Sequence, residues 1–268
     1  MKVRLLAVVC ALALSLFVPA STVAAGAAPV YYLSLGDSLA AGTQPGHQFT
    51  DQSYTDQLFA DLRARMPTLQ HEKLGCPGET TATMISGALP YEGRSPSALC
   101  RYAHGSQLAE ATAFLRGHRN FTILVTIDIG ANDILNDPIN GTAAIAANLP
   151  VILSALRGAA GSNVPVIGMN YYDPRLVLFV TDPAGLTAEV ARAVAFNAFL
   201  SGIYGAAGDR VADVQAAFFT TITTPTATGI PLDVATICAW TWICTPSQNI
   251  HPNATGYHMI ALAFEAKL

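Results

Sequence analysis

Four short polar clusters carry the residue types that acyl transfer needs, and they stand far apart in the chain. They are "SLGDSLAAG" with Ser38, "GCPGETT" with Gly78, "IGANDI" with Asn132 and "IHPNATGY" with His251. Ser38 is a candidate nucleophile and His251 the imidazole that would make it one. The N–H of Gly78 and the side-chain amide of Asn132 are candidate donors for an oxygen that becomes an anion. Each cluster also has a plain structural use. Gly-Asp-Ser suits a helix start, where Asp or Ser caps free amides and Gly allows the turn. Asn132-Asp133 suits a turn that satisfies its own backbone. His251 before Pro252 could be a loop histidine, and Gly78 could serve its loop alone. Chemistry is implied by the set, not by any one member.

The elements around these clusters have to bring them together. Strand candidates are "VYYLSL" (30–35), a weaker "LQHEKL" (69–74), "FTILVTIDI" (121–129), "VPVIGMNYY" (164–172) and "RVADV" (210–214). Helical patterns fall at 53–66, 105–118, 143–160, 186–207 and 254–267. Strands alternating with helices of this length predict right-handed crossovers and a parallel sheet covered on both faces. The near-continuous apolar strands agree with burial on both sides. In such sheets ligands bind outside the carboxyl ends of the strands, and that is where the first three clusters fall. The stretches 75–104 and 216–252 are irregular and rich in Gly, Pro, Thr or Ser. Such long loops are often functional.

The chain has 268 residues, 12% of them charged and 51% hydrophobic, with a pI near 5.8. No basic field exists to hold nucleic acid. Lys2 and Arg4 precede the apolar run "LLAVVCALALSLFV" and then small residues, which reads as a signal peptide over 1–25. Its apolar core of about 14 residues is short of the roughly 20 that span a bilayer. Removing it leaves 12 basic against 18 acidic residues, a formal charge of −6. The reading is a secreted protein, a single domain over 26–268 and a monomer, without stable membrane insertion. Four cysteines then remain, an even number that favours disulfides in an exported chain. Cys76 with Cys100 and Cys238 with Cys244 close the shortest loops, although four cysteines allow three pairings. No C-x-x-C spacing supports a metal site, and no cofactor is expected.

The four clusters, in this order, resemble the SGNH or GDSL-type hydrolases, and "LGCPGETT", "NYYDP" and "ICAWTWIC" look like the secreted actinobacterial branch. The resemblance spans about residues 30 to 260. It implies a flavodoxin-like three-layer α/β/α sandwich with a five-stranded parallel sheet in order 2-1-3-4-5. It further implies metal-free hydrolysis of an ester or thioester. Ser38 would attack, His251 would take its proton, and the N–H groups of Ser38 and Gly78 with the Asn132 amide would bind the oxyanion. The substrate would be a small acyl ester or lipid. A carbohydrate acetyl esterase is the alternative activity, and a non-catalytic binding module the alternative class.

One position departs from the pattern. Many family members carry an Asp three residues before the histidine, and here that residue is Gln248. The expectation is a Ser–His dyad with a main-chain carbonyl near Gln248 accepting the ring proton. Asp37, Asp133, Asp173 and Asp233 are the carboxylates that could approach instead, with Asp37 and Asp133 expected to brace the loops. Trp240 and Trp242 could wall an acyl site or pack their loop onto the sheet. Tyr171-Tyr172 and Phe218-Phe219 are expected in the core.

Overall fold

The computed structural model describes residues 28–87 and 100–268; the leader expected over 1–25 lies outside them. Five strands form the main sheet: β1 (Val30–Gly36), β2 (Leu69–Lys73), β3 (Thr122–Asp128), β4 (Val166–Met169) and β5 (Arg210–Ala212). All neighbours are parallel, as the alternating pattern predicted, and the order is β2-β1-β3-β4-β5, as the family resemblance implied. Residues along β3 are buried on both faces, from Leu124 through Ile127 to Asp128.

The crossovers are helical. After β1 come a single turn, α1 (Ser38–Ala41), and α2 (Tyr54–Arg65); after β2 come α3 (Thr81–Ser86) and α4 (Gln107–Gly117). After β3 come α5 (Ala131–Asn136) and α6 (Gly141–Ala160), and after β4 a 3-10 helix (Pro174–Phe179) and α7 (Pro183–Ala206). The chain ends with α8 (Val214–Ala217), α9 (Leu232–Trp240), the antiparallel hairpin β6 (Thr241–Trp242) and β7 (Asn249–Pro252), then α10 (Ala254–Glu265). Helix α2 packs on α10, while α4 packs on α6 and α6 on α7, giving two helical layers around the sheet. Helices α6 and α7 are long and apolar enough to cross a membrane, yet Leu149, Ile152, Leu156 and Leu200 lie in the common core.

The five strand and five long-helix expectations are met within a few residues. The additions are the short elements α1, α3, α5 and α8, the 3-10 helix, α9 and the hairpin, all too short for a periodic pattern or lying in the stretch read as irregular. Cys76 is bonded to Cys100 and Cys238 to Cys244, with Cα separations of 6.0 and 5.0 Å, the pairing with the shortest loops. Tyr171, Tyr172 and Phe218 are buried, but Phe219 is not. Its side chain is exposed and its φ is 53°, because it turns the chain out of α8 with its N–H on Ala216 O.

Candidate active site

Strand β1 ends in a tight exit. Gly36 has φ 143°, and a Cβ there would stand 2.1 Å from Asp128 Oδ1, so no larger residue fits beside β3. Gln107, fully buried on α4, clamps this point by accepting from Gly36 N–H at 2.7 Å and donating to Gly36 O at 3.0 Å. Asp37 then caps α1, its Oδ1 accepting the Leu39 N–H at 2.9 Å. Ser38 follows as the first helical residue, where a backbone N–H has no intrahelical acceptor.

Beneath this turn lie two carboxyl groups. Asp37 N–H donates to Asp128 Oδ2 at 3.2 Å, and Tyr54 Oη donates to Asp128 Oδ1 at 2.6 Å. Burial and the neighbouring Asp37 charge push Asp128 well above the usual carboxylate range, so it holds the proton of the pair. Burial pushes Asp37 up to about 6, offset in part by the hydrogen bonds from Asp128 and Leu39. At neutral pH Asp37 is the charged member.

Asn132 is placed by Gly130, whose φ of 118° starts α5. Its Nδ2 donates to Glu79 O at 3.0 Å and, at a long 3.3 Å, to Asp37 Oδ2. Gly78, with φ 84°, immediately precedes Glu79, and its N–H makes no hydrogen bond to another described residue. Glu79 is buried, raised by desolvation to about 7 and held by Gln107 Nε2 at 2.9 Å. Asp133 braces a different joint: it accepts from Thr81 N–H at 2.9 Å and Thr81 Oγ1 at 2.5 Å, tying α5 to the start of α3.

His251 reaches the same place from the hairpin. Its Nε2 lies 2.7 Å from Ser38 Oγ, across 213 residues of chain. Burial alone drives the ring down to about 4. On its other side, Nδ1 lies 2.7 Å from Asn249 Oδ1, which also accepts the His251 backbone N–H at 2.9 Å. This corrects the expected main-chain carbonyl near Gln248. Gln248 instead turns the chain with φ 45° and donates its N–H to Thr245 O. None of the four candidate aspartates bonds to the ring: Asp37 and Asp133 are engaged as above, Asp173 caps the 3-10 helix and Asp233 bonds the Val234 N–H. Asn249 was missed because it lies two residues before the histidine, and a neutral amide carries no expectation of the role.

The hairpin itself is pinned to the nucleophile side. Trp242 Nε1 donates to Gln44 Oε1 at 2.7 Å, Gln44 Nε2 donates to Pro252 O at 3.1 Å, and Tyr172 Oη donates to Ile250 O at 2.9 Å. Trp240 packs edge-on against Phe218. Both tryptophans therefore serve packing of the loop, not the cavity wall. Ser38, Gly78, Asn132 and His251 all line one cavity of about 650 Å³, within the ordinary size range of small-molecule sites. Leu39, Ile134, Leu135 and Phe196 give it an apolar wall. At another part of the wall Glu189, almost fully buried, is paired with Arg175 at 3.0 Å and with Arg192. Among the described residues no cluster of His, Cys, Asp and Glu could hold a metal.

Residues 34–259, most of the chain, match the GDSL-like Lipase/Acylhydrolase family. The chain belongs to that family. As a GDSL-like acylhydrolase it is a carboxylic ester hydrolase. Solved structures share the fold at low identity. An acetyl xylan esterase from Geobacillus stearothermophilus is 16% identical, with a TM-score of 0.55 over 90% of this chain and 94% of that one. An α/β hydrolase enzyme from the metagenome of Lake Arreo, Spain, is 20% identical, with a TM-score of 0.51 over 89% and 94%. No curated protein sequence matches the chain.

Proposed function

We propose that the protein is a secreted serine esterase acting on small acyl esters through an acyl-enzyme on Ser38. The observation that carries this reading is the 2.7 Å contact between Ser38 Oγ and His251 Nε2 inside the cavity. His251 takes the hydroxyl proton as Oγ attacks the acyl carbon, then returns it to the leaving alcohol; water repeats the cycle on the acyl-enzyme. The carbonyl oxygen, becoming an anion, is met by the N–H groups of Ser38 and Gly78 and by Asn132 Nδ2. The bond to Glu79 O fixes the Asn132 amide plane, and the long contact to Asp37 is the one an oxyanion replaces.

The two disulfides support export after removal of the 1–25 leader, since such bonds persist in oxidising compartments. Residues 26–268 then act as one hydrolase domain. A second reading, deacetylation of a carbohydrate, draws on the Arg175, Glu189 and Arg192 group, a polar wall for hydroxyl-rich leaving groups. A fluorophosphonate probe and a panel of acyl esters graded by chain length, including an acetylated oligosaccharide, test both. Labelling that vanishes in Ser38→Ala supports the serine esterase; folded wild type that resists labelling overturns it. Preference within the panel decides between an alkyl ester and an acetylated sugar.

A further inference from the structure

A backbone amide can only donate. The His251 N–H lies 2.9 Å from Asn249 Oδ1, so the oxygen of the Asn249 side chain, not its amino group, occupies that corner. The same oxygen is 2.7 Å from His251 Nδ1. An acceptor at that distance requires the ring hydrogen on Nδ1, and a neutral imidazole protonated there leaves Nε2 bare. Bare Nε2 is the atom that faces Ser38 Oγ. The turn from Asn249 to His251 thus fixes the amide orientation, the amide fixes the tautomer, and the tautomer makes the base.

We propose that Asn249 is the positioning residue for His251: a neutral amide, locked by the backbone, that does the orienting work of a triad carboxylate without its charge. The proposal rests on Ser38 and His251 being nucleophile and base. It explains why an amide is tolerated here, although replacing the acid of a Ser-His-Asp triad by Asn costs about 10⁴ in turnover because the amide then imposes the wrong tautomer. In this chain the His251 N–H forbids that flip.

A base without a counter-charge stays neutral to low pH. Among the described residues, the titratable and charged groups that line the cavity with His251 are Asp37 at the start of α1, His47, Tyr171, Tyr172, Asp173, and Glu189 with its partners Arg175 and Arg192. None of them supplies a charge that offsets the burial of the ring. Strand β6 contributes no titratable group.

Nitrogen-15 NMR of histidine-labelled wild type at pH 7, with His251 assigned by loss of its signal in His251→Gln, reads the tautomer directly. Hydrogen on Nδ1 is expected; hydrogen on Nε2 overturns the proposal. In steady-state kinetics Asn249→Ala should lower kcat by at least about 10²-fold with KM within about twofold. Asn249→Asp keeps the turn and should restore turnover. It should also move the acid limb of kcat/KM upward by about 1–3 pH units, as a carboxylate beside a cation does. If Asn249→Ala keeps wild-type kcat and the wild-type acid limb, or Asn249→Asp leaves that limb in place, the role is refuted. If Asn249→Ala does not fold, the tautomer and the Asn249→Asp limb decide. Failure of the serine esterase itself would look different, because wild type would then resist the fluorophosphonate.

Discussion

The two halves of the site are built from opposite materials. On the nucleophile side, buried acids hold the backbone: Asp37 caps the turn, Asp128 accepts the Asp37 N–H, and Glu79 sits under the Gly78 loop. On the base side the holding groups are neutral: Asn249 on the ring, Gln44 and Trp242 on the hairpin, Tyr172 on Ile250 O. The difference follows from what each half must do. A turn that converges several N–H groups on one point tolerates, and even uses, nearby negative charge as an acceptor. A general base has to be neutral to work, and a negatively charged neighbour would raise its pKa. So the proton-sensitive scaffolding stands behind Ser38, where it bears on shape, and not behind His251, where it would bear on the reaction.

The reacting groups of the two halves meet in the hydrogen bond between Ser38 and His251, so loss of either member alone should abolish the joint action. Ser38→Ala and His251→Ala are each expected to lower turnover by about 10⁶-fold, and the double variant to lose little more, because residues acting as a unit are not additive. Steady-state hydrolysis of the best ester in the panel, with circular dichroism as the check on folding, measures this. Losses that multiply would mean that the two side chains act independently.

The oxyanion donors belong to the nucleophile side alone. Asn132→Ala should cost about 10²–10³ in kcat while leaving single-site labelling of Ser38 detectable. Unchanged kcat would remove Asn132 from the mechanism and leave its bonds to Glu79 O and Asp37 as structural ones.

How far the sequence goes tracks the same division. The parallel strands, the long helices and the Ser38, Gly78, Asn132 and His251 clusters are visible because they depend on local apolar pattern or on residue types that announce chemistry, whereas the sheet order came only with the family resemblance that those clusters carry. The shortest-loop disulfides were likewise accessible, since loop length is a one-dimensional quantity. What escaped is three-dimensional and neutral. Gln107 clamps Gly36 across 71 residues and Gln44 bonds Trp242 across 198, and nothing in a lone Gln marks a long-range bond. Asn249 escaped for the same reason, with attention drawn to the charged residue missing at Gln248. Asp128, at the end of the third strand, carries no local signal of its role, although its burial and its bond from Tyr54 make it the centre of the acid pair.

On the base side, Trp242→Phe removes one donor and leaves Gln44 Oε1 buried without it. Such a loss costs about 1–3 kcal/mol, or about 2–4 °C of thermal midpoint per kcal/mol in a chain of this size. On the nucleophile side, Asp128→Asn replaces a carboxyl that is already neutral by a neutral amide of the same shape, and should cost less at pH 7. Differential scanning calorimetry of both variants at pH 7 compares them. A larger loss for Asp128→Asn would mean that Asp128 carries charge in the folded protein.

The smallest effect separates the halves most cleanly, because their titrations oppose each other. Asp37, raised to about 6, Glu79 and Asp173, each raised to about 7, and Asp128, raised well above the usual carboxylate range, keep protons in the folded chain that they release on unfolding above pH 4 or so. Their contribution is therefore fully present in acid and is lost as pH rises through those folded values. His251 and His71, each lowered by burial to about 4, do the reverse: they take up protons on unfolding below about 6.5, and their contribution is lost as pH falls toward 4. The acids outnumber the histidines, so the thermal midpoint should be higher at pH 5 than at pH 8 by several degrees at matched ionic strength, by the same conversion of about 2–4 °C per kcal/mol. A midpoint higher at pH 8 would contradict the proton placement on the nucleophile side. His251→Gln then isolates the other half: removing a ring that resists protonation should raise the midpoint relative to wild type more at pH 4.5 than at pH 8, whereas Asp128→Asn should flatten the fall between pH 5 and pH 8.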